Sequence, residues 1–146
     1  MGALWKAVAA LGLVLGAAHA QAEFVSIKGN QVNIRQSPST TADIAWELTE
    51  GYPMQVMQKR GKWFKVKDFE GELGWVYQPL TQKKAHHVVK VPTANMRTGP
   101  GAQYKKVATL KQHDLLQTQT AQNGWIKGQT SSGQVGWISK KLLWGW

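Results

Sequence analysis

Hydrophobic and polar residues alternate in short runs along the chain after residue 22, and no stretch there keeps the period of an amphipathic helix. Residues 25–35 alternate around a Gly-Asn pair. Four more runs follow in the first half, at residues 44–48, 54–59, 63–67 and 73–77. Turn residues, each group containing glycine, separate most of these runs. The pattern predicts an all-β fold made of short strands.

The same pattern occurs twice, since adding 62 to a residue number in the first half reaches a matching residue in the second. No gap is needed, and 11 of the 49 residue pairs from 32/94 to 80/142 are identical. Short strands in about 60 residues must close on themselves to bury enough surface. We therefore predict two tandem small β-barrels of about five strands each. The marks of the repeat are Asn33, Arg35, Pro38, Gly74 and Trp75, and again Asn95, Arg97, Pro100, Gly136 and Trp137.

The first 20 residues carry the features of a secretory signal peptide. Lys6 precedes a short apolar run, and Ala18-His19-Ala20 follows as a small-x-small cleavage site. Cleavage falls after Ala20 or Ala22. The predicted organisation is a signal peptide (residues 1–20), a first barrel (23–82) and a second barrel (87–146). We expect an exported protein, periplasmic or secreted, with no transmembrane segment after signal cleavage.

Both halves resemble the bacterial SH3 (SH3b) domain family. The resemblance rests on "VNIRQSP" and "ANMRTGP", on "GKWFKV" and "NGWIKG", and on a closing G-x-x-G-W with a leucine a few residues later. It covers residues 24–143 and implies SH3-like barrels that bind rather than catalyse. The usual targets of the family are cell-wall components, especially peptidoglycan and its peptides. The second half departs from the pattern at His113 and Asp114, where glycine is usual, and at Gly128.

Aromatic residues are more numerous in the first half than the repeat requires. Trp46, Tyr52, Phe69 and Tyr77 stand where the second half has Ala, Asp, Ser and Ser. Such a surplus indicates either a ligand-binding face or a surface that packs against the second barrel, and both remain open. The candidate ligand-binding residues are Trp46, Tyr52, Trp63, Tyr77, Tyr104, Lys105, Lys106 and Trp125.

The residues of the repeat itself are interpreted mainly as structural. Arg35 and Arg97 brace a long loop through its carbonyls or bind an anion, and their presence in both halves favours bracing. Trp75 and Trp137 are predicted to lie in the core. Trp144 and Trp146 at the end of the chain suggest docking across the first barrel.

Charge is divided unequally between the halves. Residues 21–82 contain seven basic and seven acidic side chains, whereas residues 83–146 contain ten basic side chains and only Asp114 as an acid. The second half therefore carries a charge of +9 within a chain of +10. This asymmetry indicates an anionic partner, and the alternative is a basic surface that only aids solubility.

No feature of the sequence indicates catalysis. Cysteine is absent, and the histidines outside the signal peptide are His86 and His87, in the predicted linker 81–90, and His113 in a turn. Their spacing fits no known ligand pattern, so we predict no metal and no cofactor. No standard nucleic-acid motif is present either, so no nucleic-acid partner is expected.

Two functions from different classes follow. The first is an exported non-catalytic binding protein of the cell envelope that recognises peptidoglycan or its peptides. The alternative is a protein–protein interaction module that binds an envelope enzyme or receptor polypeptide along an edge strand or an aromatic groove.

Overall fold

The computed structural model describes residues 22–146, so the predicted signal peptide lies outside the described residues. The described chain consists of short strands, turns and two single-turn 3-10 helices. The prediction of an all-β fold with two tandem units is confirmed.

Each unit contains seven strands, and all the strand pairs are antiparallel. The first barrel contains β1 (Phe24–Ile27), β2 (Val32–Arg35), β3 (Ile44–Leu48), β4 (Pro53–Arg60), β5 (Trp63–Lys67), β6 (Leu73–Tyr77) and β7 (Thr81–Gln82). The second barrel contains β8 (His86–Val89), β9 (Thr93–Arg97), β10 (Lys106–Lys111), β11 (Leu115–Gln122), β12 (Trp125–Thr130), β13 (Val135–Ser139) and β14 (Leu143–Gly145).

The two sheets have the same topology. The strand order is β3-β2-β6-β5-β4-β1-β7 in the first sheet and β10-β9-β13-β12-β11-β8-β14 in the second. The expected five strands become seven because the turn after Ile27 divides one predicted run into β1 and β2. A further short strand, β7, follows the 3-10 turn Gln78–Leu80 and pairs with β1.

The predicted linker contributes to both sheets. Thr81 and Gln82 form β7, and β8 begins at His86. This corrects the expectation that His86 and His87 lie in a linker between the barrels. Both belong to the first strand of the second barrel, where they occupy the positions of Phe24 and Val25 in the first.

Alternate residues of the strands fill each core. Ile34, Met54 and Val66 are fully buried in the first barrel, as are Met96 and Ile138 in the second. Burying a side chain of this size stabilises the fold by about 1.5–3 kcal/mol.

The glycine before each repeated tryptophan is required by this packing. A Cβ atom at Gly74 would collide with Ile34, and one at Gly136 would collide with Met96. The glycines of these Gly-Trp pairs therefore let β6 and β13 lie close to β2 and β9, their neighbours in the sheets.

The repeated arginines contact the loop that follows them. Arg35 Nη1 donates a hydrogen bond to the carbonyl of Ala42 at 2.9 Å, and Arg97 Nη1 donates to the carbonyl of Tyr104 at 3.0 Å. In both barrels the acceptor lies seven residues beyond the arginine. This is the contact that the bracing interpretation requires.

The end of the chain docks on the first barrel. The ring of Phe24 lies 5.1 Å from the ring of Trp144, edge to face, and 5.7 Å from the ring of Trp146. Val88 of the second barrel is fully buried in the same cluster as the first barrel's core. The expected docking of both tryptophans is thus observed, and the barrels pack against each other.

The same turn position of each barrel, Gly51 in the first and His113 in the second, lies against the other barrel. Gly51 has a φ of +86°, and a Cβ there would lie 2.8 Å from the ring of His86. Its counterpart His113 also has a positive φ, +75°, which a residue with a side chain adopts at a cost. His113 Nε2 lies 3.0 Å from Glu70 Oε1, and its ring lies 5.4 Å from Phe69. The strained backbone of His113 therefore places its ring in contact with two residues of the first barrel.

His87 is buried where the first barrel has Val25. Its Nδ1 lies 2.6 Å from Thr118 Oγ1 and its Nε2 lies 2.7 Å from the backbone oxygen of Trp146. Since a backbone oxygen can only accept, Nε2 carries the hydrogen and Nδ1 accepts from the threonine hydroxyl. Burial lowers the pKa of His87 to about 4, so the ring is neutral near pH 7.

Candidate ligand-binding groove

A groove with a volume of about 260 Å³ opens on the second barrel. It lies between β10, the turn before β11, and the hairpin tip that joins β12 to β13. This arrangement puts side chains from three separate segments around one space. The lining residues are Ala108, Thr109, Leu110, Asp114, Leu115, Thr130, Ser131, Ser132 and Gln134.

The groove is open because its residues are small where the first barrel has large ones. Ala108, Asp114 and Ser131 occupy the positions of Trp46, Tyr52 and Phe69. In the first barrel Tyr52 belongs to the core cluster, and Trp46 and Phe69 pack against it. The same site is therefore filled by aromatic rings in one barrel and left empty of them in the other.

The hairpin tip holds its polar groups in fixed positions. Thr130 Oγ1 lies 3.0 Å from Ser132 Oγ and accepts a hydrogen bond from the backbone N–H of Gln134 at 3.1 Å. The side-chain amide of Gln134 donates to the carbonyl of Val107 at 3.0 Å. Hydroxyl groups held in this way can donate to and accept from a ligand without further ordering.

Asp114 supplies the negative charge of this groove. Its Oδ2 accepts a hydrogen bond from the backbone N–H of Lys111 at 2.8 Å, which fixes the carboxylate at the turn. The remaining lone pairs can accept from a ligand ammonium, amide or hydroxyl group. The groove is thus suited to hydrogen-bond donors, although it lies on the half of the chain that carries the excess of positive charge.

A smaller cavity of about 110 Å³ shares three residues with the groove and reaches the first barrel. The shared residues are Leu115, Thr130 and Ser131, and Glu50 is contributed by the first barrel. His86 also lines it, and burial lowers the pKa of this histidine. Because the two spaces adjoin, a ligand in the groove can extend toward a second carboxylate at the boundary between the barrels.

The aromatic candidates of the first barrel are largely engaged in its own packing. Tyr52 is only 9% exposed, and burial raises its pKa well above the ordinary value. Trp46 is half-buried against the core, and the ring of Trp63 lies 5.5 Å from that of Tyr77. Tyr52 therefore offers little surface to a ligand, and the other three rings offer part of theirs.

The candidates of the second barrel lie outside the groove. Tyr104 is 41% exposed in the loop after β9 and packs over Gly99. Lys105 and Lys106 follow it and are exposed, and Trp125 is half-buried at the start of β12. The structure therefore does not bring the eight predicted residues together at one site.

Sequence reasoning missed the groove, although the signal was present in the repeat. The repeat pairs Trp46 with Ala108 and Phe69 with Ser131, which indicates a surplus of aromatic residues in the first barrel. The same pairs also indicate unfilled volume beside Ala108 and Ser131 in the second barrel, where the groove lies.

Among residues 22–146, no three histidine, aspartate or glutamate side chains are grouped closely enough to hold a metal ion. Within this part of the chain, no helix combines the length and hydropathy needed to cross a membrane.

The family model of the bacterial SH3 domain matches the chain twice, at residues 28–83 and 90–145. The chain belongs to the bacterial SH3 domain family. The starts and the ends of the two matches are 62 residues apart, as the repeat predicted. The two barrels are therefore tandem bacterial SH3 domains.

One curated relative is the putative N-acetylmuramoyl-L-alanine amidase YrvJ of Bacillus subtilis (strain 168), which is 27% identical over 135 residues. The match covers 85% of this chain and 26% of the relative. This bacterial SH3 pair thus spans about a quarter of the length of that relative.

Two solved structures resemble this chain at low identity. An NlpC/P60 family protein from Bacillus cereus ATCC 10987 is 15% identical with a TM-score of 0.40, over 84% of this chain and 56% of that one. The second, "Endolysin LysPBC5 CBD", is 17% identical with a TM-score of 0.35, over 82% of this chain and 90% of that one. Neither likeness bears on the ligand of the tandem SH3 domains described here.

Proposed function

We propose that this chain is an exported, non-catalytic binding protein of the bacterial cell envelope that recognises peptidoglycan through a peptide held in the groove of its second barrel. The observation that carries the proposal is the groove itself, with its ordered hydroxyl groups and the carboxylate of Asp114. A wall peptide offers amide groups to such a surface, and a free side-chain amine to the carboxylate.

Membership of the bacterial SH3 family supports binding rather than catalysis. The curated relative is named as a putative N-acetylmuramoyl-L-alanine amidase, and this chain matches only a quarter of it. We propose that the shared quarter serves wall attachment and that this chain uses it in the same way. Export rests on the signal-like residues 1–20.

The position of Glu50 supports a peptide longer than a single residue. The groove and the smaller cavity join through Leu115, Thr130 and Ser131, so an extended peptide can lie across both. The carboxylates of Asp114 and Glu50 then recognise donors at two places. Two weak contacts of this kind gain strength on a repeating polymer, because each bound unit raises the local concentration of the next.

Chemical-shift mapping with a soluble muropeptide tests this proposal. We expect the largest backbone shifts at Ala108, Asp114 and Ser131. Replacing the small residues by those of the first barrel, in the variant Ala108→Trp with Ser131→Phe, should fill the groove and weaken binding at least tenfold.

Thr40→Trp is the matched control, because it adds an aromatic ring at an exposed position outside the groove. It should leave the affinity unchanged. Full affinity in the groove-filling variant, or shifts confined to the first barrel, would contradict the proposal. Binding to isolated wall that disappears after protease treatment of the wall preparation would favour the alternative, an envelope polypeptide as partner.

A further inference from the structure

On the outer face of the first barrel, neighbouring side chains lie against the rings of Trp63 and Trp75. The guanidinium carbon of Arg60 lies 5.3 Å from the centre of the Trp75 ring, and Trp75 is only 7% exposed. The ring of Tyr77 lies beside Trp63, its partner in the sheet. Both indoles thus have a cover that belongs to the same barrel.

The second barrel has lost both covers. Gln122 stands where the first barrel has Arg60, and Ser139 stands where it has Tyr77. Neither a glutamine amide nor a serine hydroxyl can replace the stacking of a guanidinium or a phenol ring. Trp137 is half-buried, whereas its counterpart Trp75 is buried. The π face of Trp137 is therefore more available than that of Trp75, and Trp125 lacks the ring that lies beside Trp63.

Cations surround the uncovered indoles. Strand pairing places Lys127 opposite Trp137, Trp137 opposite Arg97, and Arg97 opposite Lys106. Residues paired in this way lie side by side on the same face of a sheet. Their neighbours along the strands, Ile126 and Ile138, are buried, so this row faces outward.

The positive charge of this row is not neutralised within the described chain. Among residues 22–146, no carboxylate lies within 4 Å of Lys127, Arg97 or Lys106, and the three ion pairs found there involve other residues. We call Arg97, Lys106, Trp125, Lys127 and Trp137 the indole face. It combines uncovered aromatic rings with uncompensated cations, and it shares no residue with the groove.

We propose that the indole face is a second binding site, one that takes an acidic glycan. The C–H face of a sugar ring stacks on an indole, and the carboxylate of an acidic sugar can pair with Lys127 and with the exposed Lys106. Regularly spaced carboxylates along a glycan match a row of cations across four strands. This proposal does not depend on a peptide in the groove.

Binding of a galacturonic acid tetramer, measured by titration calorimetry and by shifts of the indole Nε1–H signals, tests the proposal. We expect shifts at Trp125 and Trp137, tighter binding than that of a neutral chitin tetramer, and weaker binding at higher salt. A single-stranded oligonucleotide of similar charge serves as the competing anion. Its tighter binding at the same indoles would overturn the choice of a glycan.

Restoring the covers of the first barrel gives the sharpest variants. Ser139→Tyr adds a ring over Trp125, and Gln122→Arg adds a guanidinium over Trp137, so each should weaken binding about fivefold. Gln122→Arg also adds a positive charge. Weaker binding in this variant therefore requires a loss of stacking, and unchanged or tighter binding would overturn the proposal.

The contribution of charge is tested by a matched pair. Lys127→Gln should weaken binding about threefold and reduce the salt dependence, because it removes a cation of the indole face. Lys141→Gln makes the same change of charge at an exposed position outside it. Equal effects of the two substitutions would mean that net charge alone attracts the glycan, and would also overturn the proposal.

Discussion

The two barrels have the same strand order and matching cores, but they use their aromatic residues differently. The first barrel fills its groove with Trp46, Tyr52 and Phe69, and covers Trp75 with Arg60. The second barrel has small residues at the groove positions and leaves its indoles uncovered. The barrel with the surplus of aromatic residues is therefore not the one with the open groove.

Charge follows the same division at the groove. The rim positions Thr109, Thr130 and Gln134 of the second barrel correspond to Glu47, Asp68 and Glu72 in the first. The filled groove is thus bordered by acids, and the open groove is bordered mainly by neutral groups. A third of the charge difference between the halves arises from the three acids that this rim lacks, so the excess of +9 does not by itself mean an anion in the groove.

The largest expected effect comes from His87, at the position of Val25. Its pKa is about 4 in the folded chain and ordinarily near 6.5, so between these values the unfolded chain takes up a proton that the folded chain does not. Stability should be constant above pH 6.5 and fall by about 3 kcal/mol as the pH drops to 4. Urea denaturation across this range measures it.

His87→Val gives the second barrel the residue of the first and should remove this part of the pH dependence. His113→Gln is the control, because the exposed ring of His113 has no such burial, and it should retain the fall. An unchanged slope in His87→Val would show that the protons are taken up elsewhere.

Packing between the barrels provides the next test. Trp144→Ala removes the ring that packs against Phe24 and should lower the free energy of unfolding by about 2 kcal/mol, since the ring is only partly buried. Urea denaturation should then show a lower midpoint. Tyr104→Ala, at an exposed ring away from the junction, should change stability by less than about 0.5 kcal/mol. Equal stability of the two variants would mean that the barrels are independent.

The guanidinium that covers Trp75 can be removed by replacing Arg60 with glutamine, the residue of the second barrel at this position. Arg60→Gln should cost about 0.5–1 kcal/mol, because one cation–π contact is lost. It should also increase the solvent exposure of the Trp75 indole N–H, measured by its exchange with solvent. Lys62→Gln removes a nearby exposed cation and should alter neither quantity. Unaltered exchange at Trp75 in Arg60→Gln would contradict the interpretation of Arg60 as a cover.

The smallest effect is expected at His113. His113→Gly restores the residue of the first barrel, relieves a positive φ and removes the contact with Glu70. Backbone relief of about 1 kcal/mol and loss of an exposed hydrogen bond of similar size should nearly cancel. Thermal unfolding should therefore change by no more than a few degrees. A large loss of stability would show that the contact outweighs the strain.

Much of the fold could be predicted from the sequence, because alternation and the 62-residue repeat are local signals. The predicted run 44–48 coincides with β3, and 73–77 coincides with β6. The strands β7 and β14 were missed because two or three residues carry no periodic pattern. The burial of His87 could not be predicted either, since it depends on Thr118 and the end of the chain, 31 and 59 residues away.

The candidate site was less predictable for a physical reason. A small residue opposite a large one in a repeat indicates a difference in volume, but not which copy has a filled space and which copy has an open one. The pairing of Tyr52 with Asp114 in the repeat predicts an aromatic binding surface in the first barrel and a polar position in the second. The structure reverses this expectation, because Tyr52 is buried in the core and Asp114 lines the open groove.

The contact of Phe24 with Trp146 brings residues near the two ends of the described chain within 5.7 Å of each other. A short flexible peptide could therefore join residue 146 to residue 22 without distorting either sheet, and the chain could be reopened at an exposed hairpin tip such as Gly71. Such a circular permutant should keep both barrels, since the strand pairs and the contacts between the barrels do not depend on the order in which the strands are connected.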